Sequence, residues 1–252
     1  MTIPNWNQKI KFNFNKAANH YTDYSFIQQY FSKKIICILK DYDLQKGNYY
    51  DLGSGTGFLA DLIEKEFPFR KCTRVDMCQN MLSMNTKHSE QILWDLNDGL
   101  PPYINNAALF VSNFFIHWLN KPEKIMKECL NYLMPGGYLI ISYPTNRSFP
   151  EWKATCKKNK IEYSGLNLPN PQTISNAFLS EEIHQVFNYS YKEDFQDIFK
   201  LFRNMINIGA HSSHSKRKTV TELRKLNRSW PKDINNKVNL TWNISILVIK
   251  KL

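Results

Sequence analysis

The stretch "YYDLGSGTGFLADLIEK" (49–65) sets Gly53, Gly55 and Gly57 at alternate positions just after an aspartate, in a chain with nine glycines among 252 residues. A tight turn needs one glycine or two. Three at this spacing mark a backbone that must lie very close to something other than protein, because only glycine lacks the Cβ that would intervene. A short strand precedes the loop, and a helix follows it through Leu59, Leu62 and Ile63. A glycine-rich turn between strand and helix belongs to an open α/β sheet, at the edge where ligands bind. Spacing excludes two common phosphate loops. The dinucleotide fingerprint needs G-x-G-x-x-G where this chain has G-x-G-x-G after Asp51, and the pattern G-x-x-x-x-G-K-[ST] is not found.

The flanking sequence agrees with that sheet. An amphipathic helix is expected over 25–39. Strands are expected at "CTRVDM" (72–77), "QILW" (91–94), "AALFVSNFF" (107–115, buried on both faces), "YLIISYP" (138–144), "HQVFNYSYK" (184–192) and "TWNISILVIKK" (241–251). Between them, "NMLSMNTK" (80–87) reads as a helix, and "PEKIMKECLNYLM" (122–134) as another stopped by Pro135-Gly136-Gly137. A helix over 193–210 would turn Phe195, Ile198, Phe199, Phe202 and Ile206 to one face and close at Gly209; a shorter one spans 219–230 with Thr221 as its cap. Strands alternating with helices on short connections imply parallel pairing by right-handed crossovers. The expectation is one α/β domain over 1–252, a seven-stranded, mostly parallel sheet flanked by helices. Its parts are an N-terminal helical segment (1–45), a core (46–145), an inserted helical lid with the region after it (146–240), and a final strand (241–252).

Charge is placed unevenly. Net charge is +11, and from Arg203 to Lys237 nine Lys or Arg face two acids, a net +7; Lys153, Lys157, Lys158 and Lys160 form a second cluster. Such a surface is either simply solvated or meets an acidic partner. Five scattered cysteines (Cys37, Cys72, Cys78, Cys129, Cys156) without a CxxC pair fit reduced thiols and a cytoplasmic protein rather than disulfides or a metal site. No apolar run approaches the roughly 20 residues of a membrane span, and the first residues have no secretory h-region, so no membrane association is expected.

D-x-G-x-G-x-G resembles motif I of the class I S-adenosylmethionine methyltransferases, whose Rossmann-like fold carries the sheet just described. The resemblance sharpens to the malonyl-acyl-carrier-protein O-methyltransferases of biotin synthesis, the BioC family. "FNKAANHYTDYSFIQ" (14–28) is similar to that family's F-x-x-A-A-x-x-Y followed by glutamine. "SNFFIHW" (112–118) is similar to S-N-x-x-x-Q-W, with His117 at the glutamine position. After the fifth strand comes S-x-P-E; "FRNMINIGAHSS" resembles R-x-x-x-x-I-G-A, and "LTWNISILVIKK" resembles T-Y-x-x-x-x-x-x-I with Trp242 for tyrosine.

The resemblance implies S-adenosylmethionine (SAM) as methyl donor and no metal. It implies cofactor binding by the loop residues Asp51, Gly53, Ser54, Gly55 and Gly57, with the methionyl part against the glycines. Asp76 would accept both ribose hydroxyls, Met77 would line the adenine, Asp95 with Leu96 would meet the adenine edge, and Asn113 would face the sulfonium. His117, Trp118 and Tyr21 become candidates at the acceptor, and Arg203 the candidate clamp for its carboxylate. The acceptor would be a malonyl thioester on an acidic acyl carrier protein, docked on the basic segment 203–237. A basic surface also suits an RNA methyltransferase, but no appended RNA-binding module and no N-P-P-Y-like motif is present, so no nucleic-acid partner is expected. The same residues would also serve a methyltransferase acting on another small acid, or a SAM-binding protein without catalysis.

Overall fold

The computed structural model describes residues 6–85, 89–179, 182–211 and 218–252. Helices α1 (Trp6–Tyr24) and α2 (Phe26–Leu39) lead into β1 (Asn48–Leu52), the glycine loop and α3 (Phe58–Glu66). There follow β2 (Cys72–Asp76), the single turn α4 (Gln79–Leu82), β3 (Gln91–Leu93), β4 (Ala107–Asn113), α5 (Pro122–Tyr132) and β5 (Leu133–Pro144). Helices α6 (Pro150–Asn159) and α7 (Pro171–Ser175) stand between β5 and β6 (Ile183–Phe195); α8 (Ile198–Asn207) and α9 (Val220–Ser229) precede β7 (Val238–Lys250).

Among the described residues these strands form one seven-stranded sheet in the order β3-β2-β1-β4-β5-β7-β6. The first five pair in parallel, and β7 runs antiparallel to both β5 and β6. Side chains alternate across it as strand geometry requires. Tyr49, Leu109, Val111 and Ile140 join one core with α2, α3, α6, α8 and α9, while Tyr50, Phe110, Leu139 and Ile141 join another with α5 and α7. β4 is buried along all but its last residue, which explains its unbroken apolar run. A third, smaller cluster joins Ala17 and Ala18 of α1 to Cys78 and Met81 and fixes α1 over the carboxyl end of the sheet.

Several boundaries differ from the sequence reading, each for a local reason. The helix expected at 80–87 is the one turn α4, and residues 86–88 lie outside the described residues. α5 ends at Tyr132 rather than at the Pro-Gly-Gly: Leu133 already pairs with Ala107, and Pro135 to Gly137 form an irregular entry to β5 with Gly136 at φ +79°. β6 runs on to Phe195 because its ladder with β7 continues to Phe195↔Val238. α8 therefore starts later, where the Asp197 side chain accepts from the Lys200 N–H at 2.8 Å. It buries Ile198 and Leu201, whereas Phe199 and Ile206 are 40% and 53% exposed, so the expected apolar face is rotated. Gly209 does close it, at φ +77°. In α9 the cap is Thr219, not Thr221, in a reciprocal capping box with Glu222.

Candidate functional site

Strand order reverses between β1 and β4, and the carboxyl ends of the strands there open a crevice, the usual ligand position in such sheets. The glycine loop forms its floor. Gly53 and Ser54 donate backbone N–H bonds to the Val75 carbonyl (2.8 and 3.1 Å), and Gly57 N–H reaches the Ser54 carbonyl at 2.9 Å. All three glycines have positive φ, between +55° and +80°. Their neighbours differ. A Cβ on Gly53 would sit 2.1 Å from the Phe115 ring, and one on Gly57 would sit 1.7 Å from Asn85 Oδ1. A Cβ on Gly55 meets nothing nearer than Tyr21 Cε1 at 4.0 Å, so Gly55 alone presents its backbone to open space in the cleft.

The opposite wall comes from α1 and α2 through Ile10, Phe14, Tyr21 and Gln28, and the far end from Ile208, Ala210 and Trp242. Phe14 stands edge-on to Trp118 (centroids 5.3 Å apart), and the His117 ring lies tilted against Trp118 at 5.1 Å. Asp76, Met77, Asn113, His117, Trp118, Tyr21, Gly53 and Gly55 all line this cleft. An adjoining recess behind the loop is lined by Asp51, Ser54, Gln28 and Asn113. No Lys or Arg is found among the described residues lining either space.

Asp76 is engaged by protein at both oxygens: Oδ2 accepts from Gly55 N–H (2.9 Å) and Oδ1 from Cys78 N–H (2.8 Å). Each carboxylate oxygen retains a second lone pair, so hydroxyl donors can still be accepted. Burial raises its pKa, opposed by those two N–H bonds. Asp51 is buried, and desolvation lifts its carboxyl to about 7, with Arg74 and the Ala60 N–H pulling it down. Burial also raises the Tyr21 hydroxyl well above its ordinary value, with Asp76 and Asp51 adding to the effect, so it stays a donor. His117 is driven down to about 3 by burial and is neutral.

Not every candidate converges. Asn113 lines the cleft, but its amide is fully engaged: Nδ2 donates to the Gln28 carbonyl (2.8 Å) and Ser32 Oγ (2.9 Å), and Oδ1 accepts from Ser142. Its visible task is to pin α2 to β4. Asp95 caps a 3-10 turn by accepting from the Asn97 N–H at 2.9 Å; Leu96 is buried in the sheet core, and neither lines the cleft. Arg203 is exposed on α8 and also lies outside the cleft lining, because the neighbouring Leu201 and Phe202 turn to the core instead.

Sequence reasoning missed the support beneath the loop. Arg74 is fully buried; its guanidinium donates to Asp61 Oδ1 (2.5 Å), to both Glu64 oxygens (2.8 and 2.9 Å) and to Asn85 Oδ1 (3.2 Å). Asn85 in turn donates to the Gly55 carbonyl at 3.3 Å. A lone arginine inside an otherwise buried strand was the available signal, since such charges are rarely buried unpaired. Gln28, Ile208, Ala210 and Trp242 also line the cleft, and each lay inside a quoted motif without being assigned a place.

These residues fit SAM by three observations. Gly55 leaves a cradle that any Cβ would enter. Asp76 has acceptor capacity to spare at the end of β2. Asp51 Oδ2, Ser54 Oγ, Gln28 Oε1 and His117 Nδ1 are buried with no hydrogen-bond partner among the described residues, which a polar ligand would satisfy.

Comparisons with known proteins agree. The methyltransferase-domain family matches residues 50–141. A malonyl-[acyl-carrier protein] O-methyltransferase of Bacillus cereus is 23% identical over 217 residues, 80% of each chain. One from Buchnera aphidicola subsp. Baizongia pistaciae is 26% identical over 243 residues, covering 90% of this chain and 92% of its own. A methyltransferase structure from Bacillus halodurans shares the fold, with TM-score 0.61 at 14% identity, covering 87% of this chain and 99% of that one. The glycine cradle at the switch point, the acid closing β2 and this likeness along the chain together make the protein a methyltransferase dependent on S-adenosylmethionine, similar over most of its length to enzymes of the BioC type.

Proposed function

We propose that the chain transfers a methyl group from SAM to the free carboxylate of a malonyl thioester carried by an acyl carrier protein. The observation that carries the reading is that relatives named for this activity align with 80–90% of the chain. In this reading residues 46–145 form the cofactor core. Gly55 accommodates the methionyl part, Asp76 accepts from the ribose, Met77 lies along the adenine, and Asp51 and Ser54 meet the polar end.

When bound, SAM supplies an electrophilic methyl group on a sulfonium. A malonyl carboxylate is ionised at neutral pH, its reference pKa being roughly 4, so no strong base is required of the protein. Anion and cation neutralise one another as the methyl moves. The chain's task is to align the partners and keep water from solvating their charges. Phe14, Trp118, Phe114 and Trp242 line the cleft for that purpose. The carboxylate is held by neutral donors, the Tyr21 hydroxyl and the His117 imidazole. A cation in their place would bind the anionic substrate more tightly than the neutralising transition state and so oppose the step. Arg203, exposed on α8, has no part in this arrangement. The ester hides the malonyl charge, so chain-elongating enzymes accept the product as an apolar primer, the role the family has in supplying the pimeloyl precursor of biotin.

Side-by-side transfer of labelled methyl from SAM to malonyl-carrier protein, malonyl-CoA, a free dicarboxylic acid and bulk tRNA tests the reading. Malonyl-carrier protein should be methylated with the highest kcat/KM. A higher value for the free acid or for tRNA would replace it.

A further inference from the structure

The two basic segments of the sequence meet in space. α6 packs on α9, where Asn159 Nδ2 donates to Ser229 Oγ (2.6 Å) and Lys225 Nζ to the Asn159 carbonyl (3.3 Å). Lys158 and Lys160 at the end of α6 are exposed beside Arg224, Lys225 and Arg228 of α9, also exposed. Each of these helices carries one acid, and both are hydrogen-bonded within the protein, Glu151 to β7 and Glu222 to the start of its own helix. Glu151 accepts from the Thr241 N–H (3.1 Å) and hydroxyl, and Glu222 from the Thr219 N–H at 2.7 Å. The face is left as a cationic ridge. The candidate docking residues Lys216 and Arg217 lie outside the described residues; Lys218 is described, next to the start of α9.

Between this ridge and the cleft lie two grooves with shared walls. A groove of about 400 Å³ beside α6 is lined by Lys153, Lys157, Tyr163 and Asn167. A second, of about 210 Å³, shares Asn167 and continues past Asn170 and Thr173 to His117. His117 is also a wall of the cleft itself. Asn167 is thus a wall common to the two grooves, and His117 a wall common to the second groove and the cleft. Their walls mix polar Lys157, Asn167, Asn170 and Thr173 with apolar Ile161, Leu168, Leu119 and Ile174, and Glu123 lines the second groove, a lining suited to an arm that alternates methylene and amide groups.

We infer that the α6–α9 ridge is the docking surface for the acidic carrier protein and that the grooves through Asn167 to His117 seat its phosphopantetheine arm. The inference rests on the proposed acceptor. Charge complementarity selects the occupant: the ridge presents five exposed cations against the exposed Glu162 that follows α6, and Lys157 lines the first groove, where the arm's phosphodiester enters. This moves docking from the segment 203–237 as a whole to its α9 part joined with α6.

Steady-state kinetics on malonyl-carrier protein and on malonyl-pantetheine, the arm without its carrier, separate the two halves. Reversing charge with Lys158→Glu and Arg224→Glu together should raise KM for malonyl-carrier protein at least tenfold at low salt. The effect should shrink as salt rises, because exposed charges are screened over about 8 Å at physiological ionic strength, and malonyl-pantetheine should be unaffected. Asn167→Trp should raise KM for both substrates at least tenfold while SAM affinity, read by calorimetry, stays at the parent value; Thr173→Trp on the facing wall should do the same. A charge-reversed enzyme with parent KM for the carrier would remove the ridge. Grooves filled by either tryptophan without effect on malonyl-pantetheine, or with loss of SAM affinity in both variants, would remove the route. Should the parent enzyme methylate neither thioester, the acceptor reading fails and this inference with it, whereas a parent active on the carrier but variants indifferent to substitution sink the inference alone.

Discussion

The Asp76 carboxylate holds the Gly55 N–H at 2.9 Å, so the acid that closes β2 is also the strut of the glycine loop. Cofactor recognition and loop shape therefore depend on one side chain. Asp76→Ala should lower SAM affinity by a factor of at least 100, since two charge-assisted hydrogen bonds at about 1.5–3 kcal/mol each are lost. Asp76→Asn should recover part, because an amide oxygen still accepts one N–H. Calorimetric titration of both variants decides it, and parent-like binding by Asp76→Ala would displace the cofactor from this cleft.

The loop glycines should separate cleanly. Gly55→Ala places its Cβ in open space and bears only the backbone strain of φ +55°, about 1–2 kcal/mol. It should fold and lose SAM affinity at least tenfold. Gly53→Ala drives a Cβ into the Phe115 ring and should instead lower thermal stability markedly. Melting curves paired with SAM titrations read both effects.

Asp51 makes stability depend on pH. Its folded pKa, about 7, lies above the unfolded value near 3.8, so the folded state binds the extra proton between them. Its contribution is at its most favourable below about pH 4 and is lost as pH rises toward 7. Asp51→Asn should flatten the fall in stability of the SAM-free protein across pH 4–7, measured by urea unfolding. SAM is a cation, so its binding should favour ionised Asp51 and release a proton near pH 6–7; calorimetry in buffers of different ionisation enthalpy detects that proton.

Arg74 has no contact with the cleft yet supports it. Arg74→Met strands Asn85 Oδ1 and the Cys72 carbonyl and leaves Asp61 and Glu64 without their cation. The expected destabilisation is about 2–4 kcal/mol, moderated because both acids are partly exposed. It should also push the Asp51 pKa higher, since Arg74 is what lowers it. Unfolding at two pH values, 5 and 8, should show the larger loss at pH 8.

His117 should never charge in the working range, with its pKa held down to about 3 by burial. Its imidazole resonances should stay constant from pH 5 to 8 by NMR. His117→Gln, which keeps a neutral donor, should retain malonyl methylation within about threefold, whereas His117→Leu should lose it at least tenfold, about 1.4 kcal/mol. Equal activity in the leucine variant would assign the carboxylate to Tyr21 alone.

What the sequence determined by itself was the set of local patterns whose cause is local. The alternate glycines after Asp51, the apolar period of β4 and the helix spacing of α2 are rules of adjacent residues, and all stand where expected. Boundaries failed where a distant partner decided them: β6 runs to Phe195 because Val238 pairs with it, and β5 begins at Leu133 because Ala107 does. The same division runs through the site. Asp76 and Gly55 were legible as motif residues, but that each holds the other is a matter of two loops meeting. Arg203 read as a clamp from its motif, and only packing, with Leu201 and Phe202 turned to the core, leaves it exposed on α8. Asn113 was legible as a cleft residue, yet tertiary structure committed its amide to α2 through Gln28 and Ser32. Charge runs at 153–160 and in α9 were visible separately, and packing of α6 on α9 made one ridge of them. Local propensity depends on neighbours in sequence, whereas burial, pKa and the shared walls of grooves depend on neighbours in space.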